Sequence, residues 1–173
     1  TRNRAVAATL QEARFATLLL DLLTAAEERE EQRGGRLRFD VDLLIGRLAA
    51  ATDWIEKRPE TVGLKVGYFG ASTGGAAALG AAAERPEVAA VVSRGGRPDL
   101  TPDASLLAVR APTLLIVGEA DHQVLAFNRR TAARMAAPVA LEIVPGATHL
   151  FEEPGALDQV ARLAREWFET YLR

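Results

Sequence analysis

Five short apolar runs, FATLLLDLL, LKVGYFG, VAAVVSRGG, PTLLIVGEA and ALEIVPGA, are spaced along the chain so that each interval has room for a helix. Runs of Val, Ile and Leu without apolar–polar alternation describe strands covered on both faces. Strands separated by helices join in parallel, because a parallel pair needs a crossover long enough to hold one. The expected fold class is therefore α/β, a mostly parallel sheet with helices on both faces. Apolar spacing places those helices at about 3 to 13, 40 to 58, 72 to 85, 123 to 136 and 155 to 172.

Local signals support these spans. Asp40 stands as an N-cap ahead of Leu43, Leu44, Leu48 and Ala51, and Pro59 marks a stop. Leu157, Val160, Ala161, Ala164, Trp167, Phe168 and Leu172 recur at helical spacing with charges between them, the pattern of a C-terminal helix docked on a sheet. The charge-dense TAAEEREEQRGGRLRF reads as a surface excursion between the first run and the next helix. No linker or repeat divides residues 1–173, so a single domain is expected.

Composition removes several function classes. The formal net charge is −2, with 21 basic and 23 acidic residues interspersed, so no basic stripe is available for nucleic acid. No apolar run approaches the roughly 18 residues of a membrane span, and the start TRNRAVAATLQEARFATLLLDLL is not arranged as a signal peptide. A cytoplasmic protein without membrane contact is the default expectation. There is no cysteine, and there are two histidines, His122 and His149, too few for a multi-histidine metal site. No metal or organic cofactor is implied, and hydrolytic chemistry has to come from side chains. The expected partner is a small-molecule substrate, with a homo-oligomer left open.

The motif that carries chemistry is G-x-S-x-G, here Gly70, Ala71, Ser72, Thr73 and Gly74. A strand candidate ends just before it and an alanine-rich helix begins just after it, the order a nucleophile elbow needs. A serine on so tight a turn adopts a strained backbone, and glycines two before and two after it remove the side chains that would collide. The turn leaves the Thr73 backbone N–H at a helix start, where unpaired donors and the helix dipole favour a developing oxyanion.

Serine needs a base within hydrogen-bond reach and an acid that orients the base. His149 lies in IVPGATHLFEEPG, after the last apolar run and before the last helix, and Asp121 lies in TLLIVGEADHQV, after the preceding run. In a parallel sheet these loops leave one edge together, so distant residues can converge. The order Ser72, Asp121, His149 matches one of several triad architectures. Glu119 is an alternative acid, and His122 reads as a loop residue. Arg94 and Arg97, in VVSRGGRPDL, could reach the site to bind a substrate carboxylate, although solvated loop positions are the commoner use of arginine.

The GASTG elbow, the IVGEAD acid loop, the VPGATHLFEEPG histidine loop and the C-terminal helix together resemble the alpha/beta-hydrolase superfamily, most closely its dienelactone-hydrolase-like branch. The resemblance spans the chain. It implies a hydrolase of esters, lactones or thioesters in which Ser72 attacks the carbonyl, His149 is the general base and Asp121, preferred to Glu119 on the family pattern, orients it. Dienelactone hydrolases carry cysteine at the elbow. Ser72 turns the expectation away from dienelactone itself and toward a serine esterase-like relative.

The resemblance also sets a structural expectation. In the superfamily a first oxyanion donor comes from a loop after an early strand, and that strand lies between those expected at FATLLLDLL and LKVGYFG. A buried strand edge costs about 1–3 kcal/mol per unsatisfied group. The chain is thus expected to be N-terminally incomplete, with the two runs not paired directly. Two other functions are weighed against the hydrolase. One is a noncatalytic hydrolase-fold binding module. The other is an NADP-binding Rossmann-type enzyme, with GYFGASTGG as a relaxed dinucleotide turn and Arg94 on a 2′-phosphate.

Overall fold

The computed structural model describes residues 2–173. Four strands, β1 (Gly67–Ala71), β2 (Ala90–Arg94), β3 (Thr113–Gly118) and β4 (Val139–Val144), form one parallel sheet in the order β1-β2-β3-β4. Registers run Phe69 to Val92, Val92 to Leu114 and Leu114 to Ala140. Each strand is followed by a helix, as the crossover argument requires. These are α4 (Thr73–Glu84) after β1, α5 (Asp103–Ala108) after β2, α6 (His122–Ala132) after β3 and α7 (Ala156–Tyr171) after β4, with α1 (Arg2–Glu12), α2 (Ala25–Glu31) and α3 (Val41–Glu56) ahead of the sheet.

Alternate strand residues sort onto two covered faces. Tyr68 and Val91 join Leu44 and Ile45 of α3 and the buried run Ala76–Ala82 of α4 in one core. Ala90, Val92, Leu114 and Ile116 join Val6 and Leu10 of α1 and Val160, Ala164 and Phe168 of α7 in the other. α6 covers the far end of the first face through Val117, Val124 and Leu125. β2 and β3 are buried at every position, which is why their sequences show no alternation.

The surface excursion contains α2, opened by Thr24, whose side chain accepts from Glu27 N–H while the Glu27 carboxylate accepts from Thr24 N–H. Glu27 is bidentate with Arg47 of α3 at 2.5 Å for both bonds, which lowers its carboxyl to a pKa of about 2. α5 and two 3₁₀ turns, at Leu37–Phe39 and Pro98–Leu100, are too short to leave a periodic signal.

The first apolar run corrects the expectation of five strands. Residues 15–23 form no ladder with β1 or with any other described strand. Helix α1 ends in a left-handed Arg14 (φ 67°), and Phe15 turns in to stack edge-on against Phe168. Leu18, Leu19 and Leu20 are then about half exposed, while Leu22 and Leu23 pack on the α3–α4 core. A cleft of about 1300 Å³ separates the segment from β1, bordered by Leu20, Tyr68, Gly70, Thr73 and Gly74 among others. An apolar run becomes a strand only where neighbouring backbone accepts and donates its hydrogen bonds.

Candidate active site

Three loops leave the carboxyl edge of the sheet side by side. The first is the turn from β1 into α4. Ser72 adopts φ 53°, ψ −120°, a left-handed conformation that costs about 1–3 kcal/mol for a residue with a Cβ and persists only where its surroundings hold it. They do so on both sides of the residue. Ser72 N–H donates to Arg94 O at 3.1 Å, and Ser72 C=O accepts from Gly75 N–H at 3.0 Å and Arg97 N–H at 3.1 Å. The Thr73 N–H opens α4 with no acceptor among the described residues.

The glycines divide the steric work differently from the motif. A Cβ on Gly70 would lie 2.1 Å from Gly74 O, so glycine is required there. A Cβ on Gly74 meets nothing within 4 Å, whereas one on Gly75 would lie 2.6 Å from Ser93 Oγ and 2.9 Å from Gly96 Cα. The close approach after the serine is therefore at Gly75, where α4 crosses the loop after β2, and not at Gly74.

The loops after β3 and β4 are bonded to each other before they deliver their side chains. Glu119 N–H donates to Val144 O and Ala120 N–H to Ala147 O, both at 3.0 Å. The Glu119 carboxylate accepts from Gly146 N–H at 2.8 Å, so this alternative acid ties the loops together and does not reach the imidazole. Asp121 and His149 meet at 2.6 Å between Oδ2 and Nδ1, the aspartate mostly buried and the ring partly open to solvent. His122 is exposed at the first position of α6.

Ser72 and His149 both lie against the loop after β2. Arg94 and Arg97 hold the serine's peptide, and a Cβ on Gly95 would sit 3.5 Å from Cε1 and Nδ1 of the His149 ring. Among the described residues no hydrogen bond joins Ser72 Oγ to that ring; nucleophile–base bonds are commonly long until substrate is bound. Beyond His149 the chain turns through a left-handed Phe151 (φ 53°), which fills the α1–α7 core at 2% exposure. Thr148 Oγ1–H donates to Glu153 at 2.6 Å and holds that carboxyl below its usual range.

The two arginines part company. The reading of Arg94 as a solvated loop residue is wrong: it is 8% exposed, because the last side chain of β2 points to the α1–α7 face and is roofed by Phe151, 5.9 Å away. Its Nε and Nη1 have no acceptor among the described residues. Burial, aided by the like charge of Arg2, lowers its pKa to about 10. Arg97 is half-buried and occupied, bidentate to Asp99 at 2.8 and 2.6 Å with its guanidinium 5.3 Å from the Phe127 ring.

Asn128 belongs to no motif of the sequence. It is fully buried on α6, and its Nδ2 donates to Gly96 O at 3.0 Å and Val124 O at 2.8 Å. The signal available was a polar residue in the apolar spacing Val124, Leu125, Asn128. Among the described residues no group of three or more His, Asp or Glu side chains is placed to hold a metal ion, and no helix is long and apolar enough to cross a membrane.

Comparison with known proteins places this arrangement. The profile of the dienelactone hydrolase family matches residues 4–172. A solved dienelactone hydrolase from Anabaena variabilis is 60% identical and superposes with a TM-score of 0.95 over 99% of this chain and 80% of that one. A dienelactone hydrolase-like promiscuous phosphotriesterase from metagenomic libraries, 20% identical, shares the fold with a TM-score of 0.76 over 99% and 81% of the two chains. Two Mycobacterium tuberculosis proteins, provisionally named phosphoribosyl transferases, are 57% identical over 99% of this chain. The chain spans 38% of their length. The fold is that of the alpha/beta hydrolases.

Proposed function

The chain belongs to the dienelactone hydrolase family, and from that premise we propose that it is a serine hydrolase cleaving a small ester, lactone or thioester through an acyl-enzyme. The observation that carries this reading is the strained Ser72 turn, clasped by the same loop against which the Asp121-bound His149 ring rests.

In the proposed reaction Ser72 Oγ attacks the acyl carbonyl and passes its proton to His149 Nε2. Asp121 keeps Nδ1 protonated and stabilises the imidazolium that forms. The negative charge on the tetrahedral oxygen is received by the Thr73 N–H at the start of α4, a donor that needs no rearrangement because no described residue accepts from it. As the carbonyl reforms, the leaving oxygen or sulfur takes the proton back from His149. Water then repeats the sequence on the acyl-enzyme, giving the free acid and restoring Ser72.

We keep Arg94 as a candidate partner for an anionic part of the substrate, a role its buried Nε and Nη1 take up only if Phe151 moves aside. Arg97 contributes at the rim, its guanidinium already held by Asp99. The transferase name of the mycobacterial relatives describes proteins of which this chain matches 38%, and no residue of the site requires that chemistry. The binding-module and nucleotide readings leave the Asp121–His149 pair without a task.

The deciding experiment is labelling with a fluorophosphonate probe followed by peptide mapping. One equivalent on Ser72, lost in His149→Ala, is expected. A folded protein that takes no label on Ser72 overturns the proposal.

A further inference from the structure

Resting on the serine-hydrolase reading, we infer that Asn128 is a positioning residue that locks the acid's helix to the nucleophile's clasp. Helix α6 starts immediately after Asp121, whose carbonyl accepts from Leu125 N–H at 2.9 Å in the helix's first turn. Two turns along the same rigid element, Asn128 reaches across to Gly96. Gly96 lies between Arg94, which accepts from Ser72 N–H, and Arg97, which donates to Ser72 C=O. One amide thus connects the element that aims Asp121, and through it His149, to the loop that keeps Ser72 in its left-handed conformation.

The setting makes this bond difficult to replace. Asn128 is fully buried, and a Cβ on Gly96 would lie 1.9 Å from Ser93 Oγ, so the loop has no room to shift toward the sheet. Without the Asn128 donor, Gly96 O loses its partner at a buried position, and the loop is free to relax away from α6. The segment Arg94–Arg97 carries two of the three backbone contacts of Ser72, the third coming from Gly75 N–H, so such a relaxation moves Oγ relative to the imidazole. A displacement near 1 Å at a reacting atom costs on the order of 100-fold in rate.

Two substitutions separate positioning from folding. Asn128→Leu keeps the branched shape of the side chain and removes every polar atom. Asn128→Ser keeps a hydroxyl able to bond the carbonyl four residues back, as Thr52 does to Leu48 and Thr170 to Glu166, both at 2.9 Å, but too short to reach Gly96. The fluorophosphonate labelling rate and final stoichiometry are measured for both, together with p-nitrophenyl acetate hydrolysis. Both variants are expected to label Ser72 to wild-type stoichiometry with a rate constant about 10- to 100-fold lower, and to show the same fall in kcat with KM within about twofold. A wild-type rate constant in a folded variant overturns the inference. So does reduced stoichiometry at an unchanged rate constant, or loss of the fold in both variants, since either marks a purely structural residue. A wild-type protein that does not label Ser72 removes the hydrolase reading itself, and this inference with it.

Discussion

β3 and the segment 15–23 are both runs of Leu-rich apolar sequence, and they end in opposite conditions. β3 is bonded on both sides, to β2 and β4, and every one of its residues is buried. The segment 15–23 is bonded to no strand, and Leu18, Leu19 and Leu20 keep about half their surface in solvent. The contrast extends to what each region can hold. Around the ends of β1 to β4, backbone bonds run from loop to loop, from Ser72 to Arg94, Glu119 to Val144 and Ala120 to Ala147. That density keeps Ser72 at φ 53°, while the flank beside β1 is a cleft of about 1300 Å³. Strain is kept where several independent bonds determine the backbone, and chemistry is expected there.

The largest effect that would sharpen this contrast is on turnover. Ser72→Ala is expected to lower p-nitrophenyl acetate hydrolysis by about 10⁵- to 10⁶-fold with the fold retained, and His149→Ala by a similar factor, since such residues act as a unit. Leu19→Ser on the flank should leave the rate within about twofold; an equal loss there would break the comparison. Next, Asp121→Asn is expected to cost about 10⁴-fold in kcat, against less than about tenfold for Glu119→Gln, whose carboxylate bonds Gly146 N–H and not the ring. Steady-state kinetics on the pair decides the acid, and the reverse order would hand the role to Glu119.

Stability gives the next two steps. Leu115→Ala, at a wholly buried β3 position, should destabilise by about 2–5 kcal/mol, and Leu19→Ala by no more than about 0.5 kcal/mol, read from urea midpoints. Within the elbow, Gly70→Ala should cost about 1–3 kcal/mol and slow labelling of Ser72, because its Cβ meets Gly74 O. Gly74→Ala should leave melting and labelling near wild type. A severe Gly74→Ala would restore the motif's own division of labour and contradict the packing at Gly75.

The smallest effect lies on the excursion. Arg47 lowers Glu27 from the ordinary 4.5 to about 2, so its contribution to stability is complete above pH 4.5 and lost as pH falls toward 2. Glu27→Gln should therefore melt slightly below wild type at pH 6, with the gap closing between pH 4.5 and 2. A gap constant with pH would remove the ion pair as its cause.

Much of this molecule can be read in one dimension. Four of the five apolar runs became strands, and all five expected helices formed within a few residues of their expected spans. Buried-on-both-faces strands and amphipathic helices write their environment directly into residue spacing. Ser72, Asp121 and His149 stand on three loops of one sheet edge, where parallel order puts them. The first apolar run has the pattern of a strand without forming one, because periodicity reports burial but says nothing of which backbone lies alongside. Arg94 looks solvated in the sequence because its place at the end of β2 does not reveal that Phe151, 57 residues later, roofs it.

Local chemistry therefore determined the fold class, the helices and the serine-bearing turn, since each depends on residues within a few positions of one another. Only the tertiary structure decided that residues 15–23 stay out of the sheet, that Gly75 and not Gly74 takes the close approach, that Arg94 is buried with no acceptor among the described residues for Nε and Nη1, and that Asn128 ties α6 to Gly96. Each of those depends on atoms brought within a few ångströms by the path of the chain. A pattern along the sequence carries the period of an element but not the identity of what packs against it.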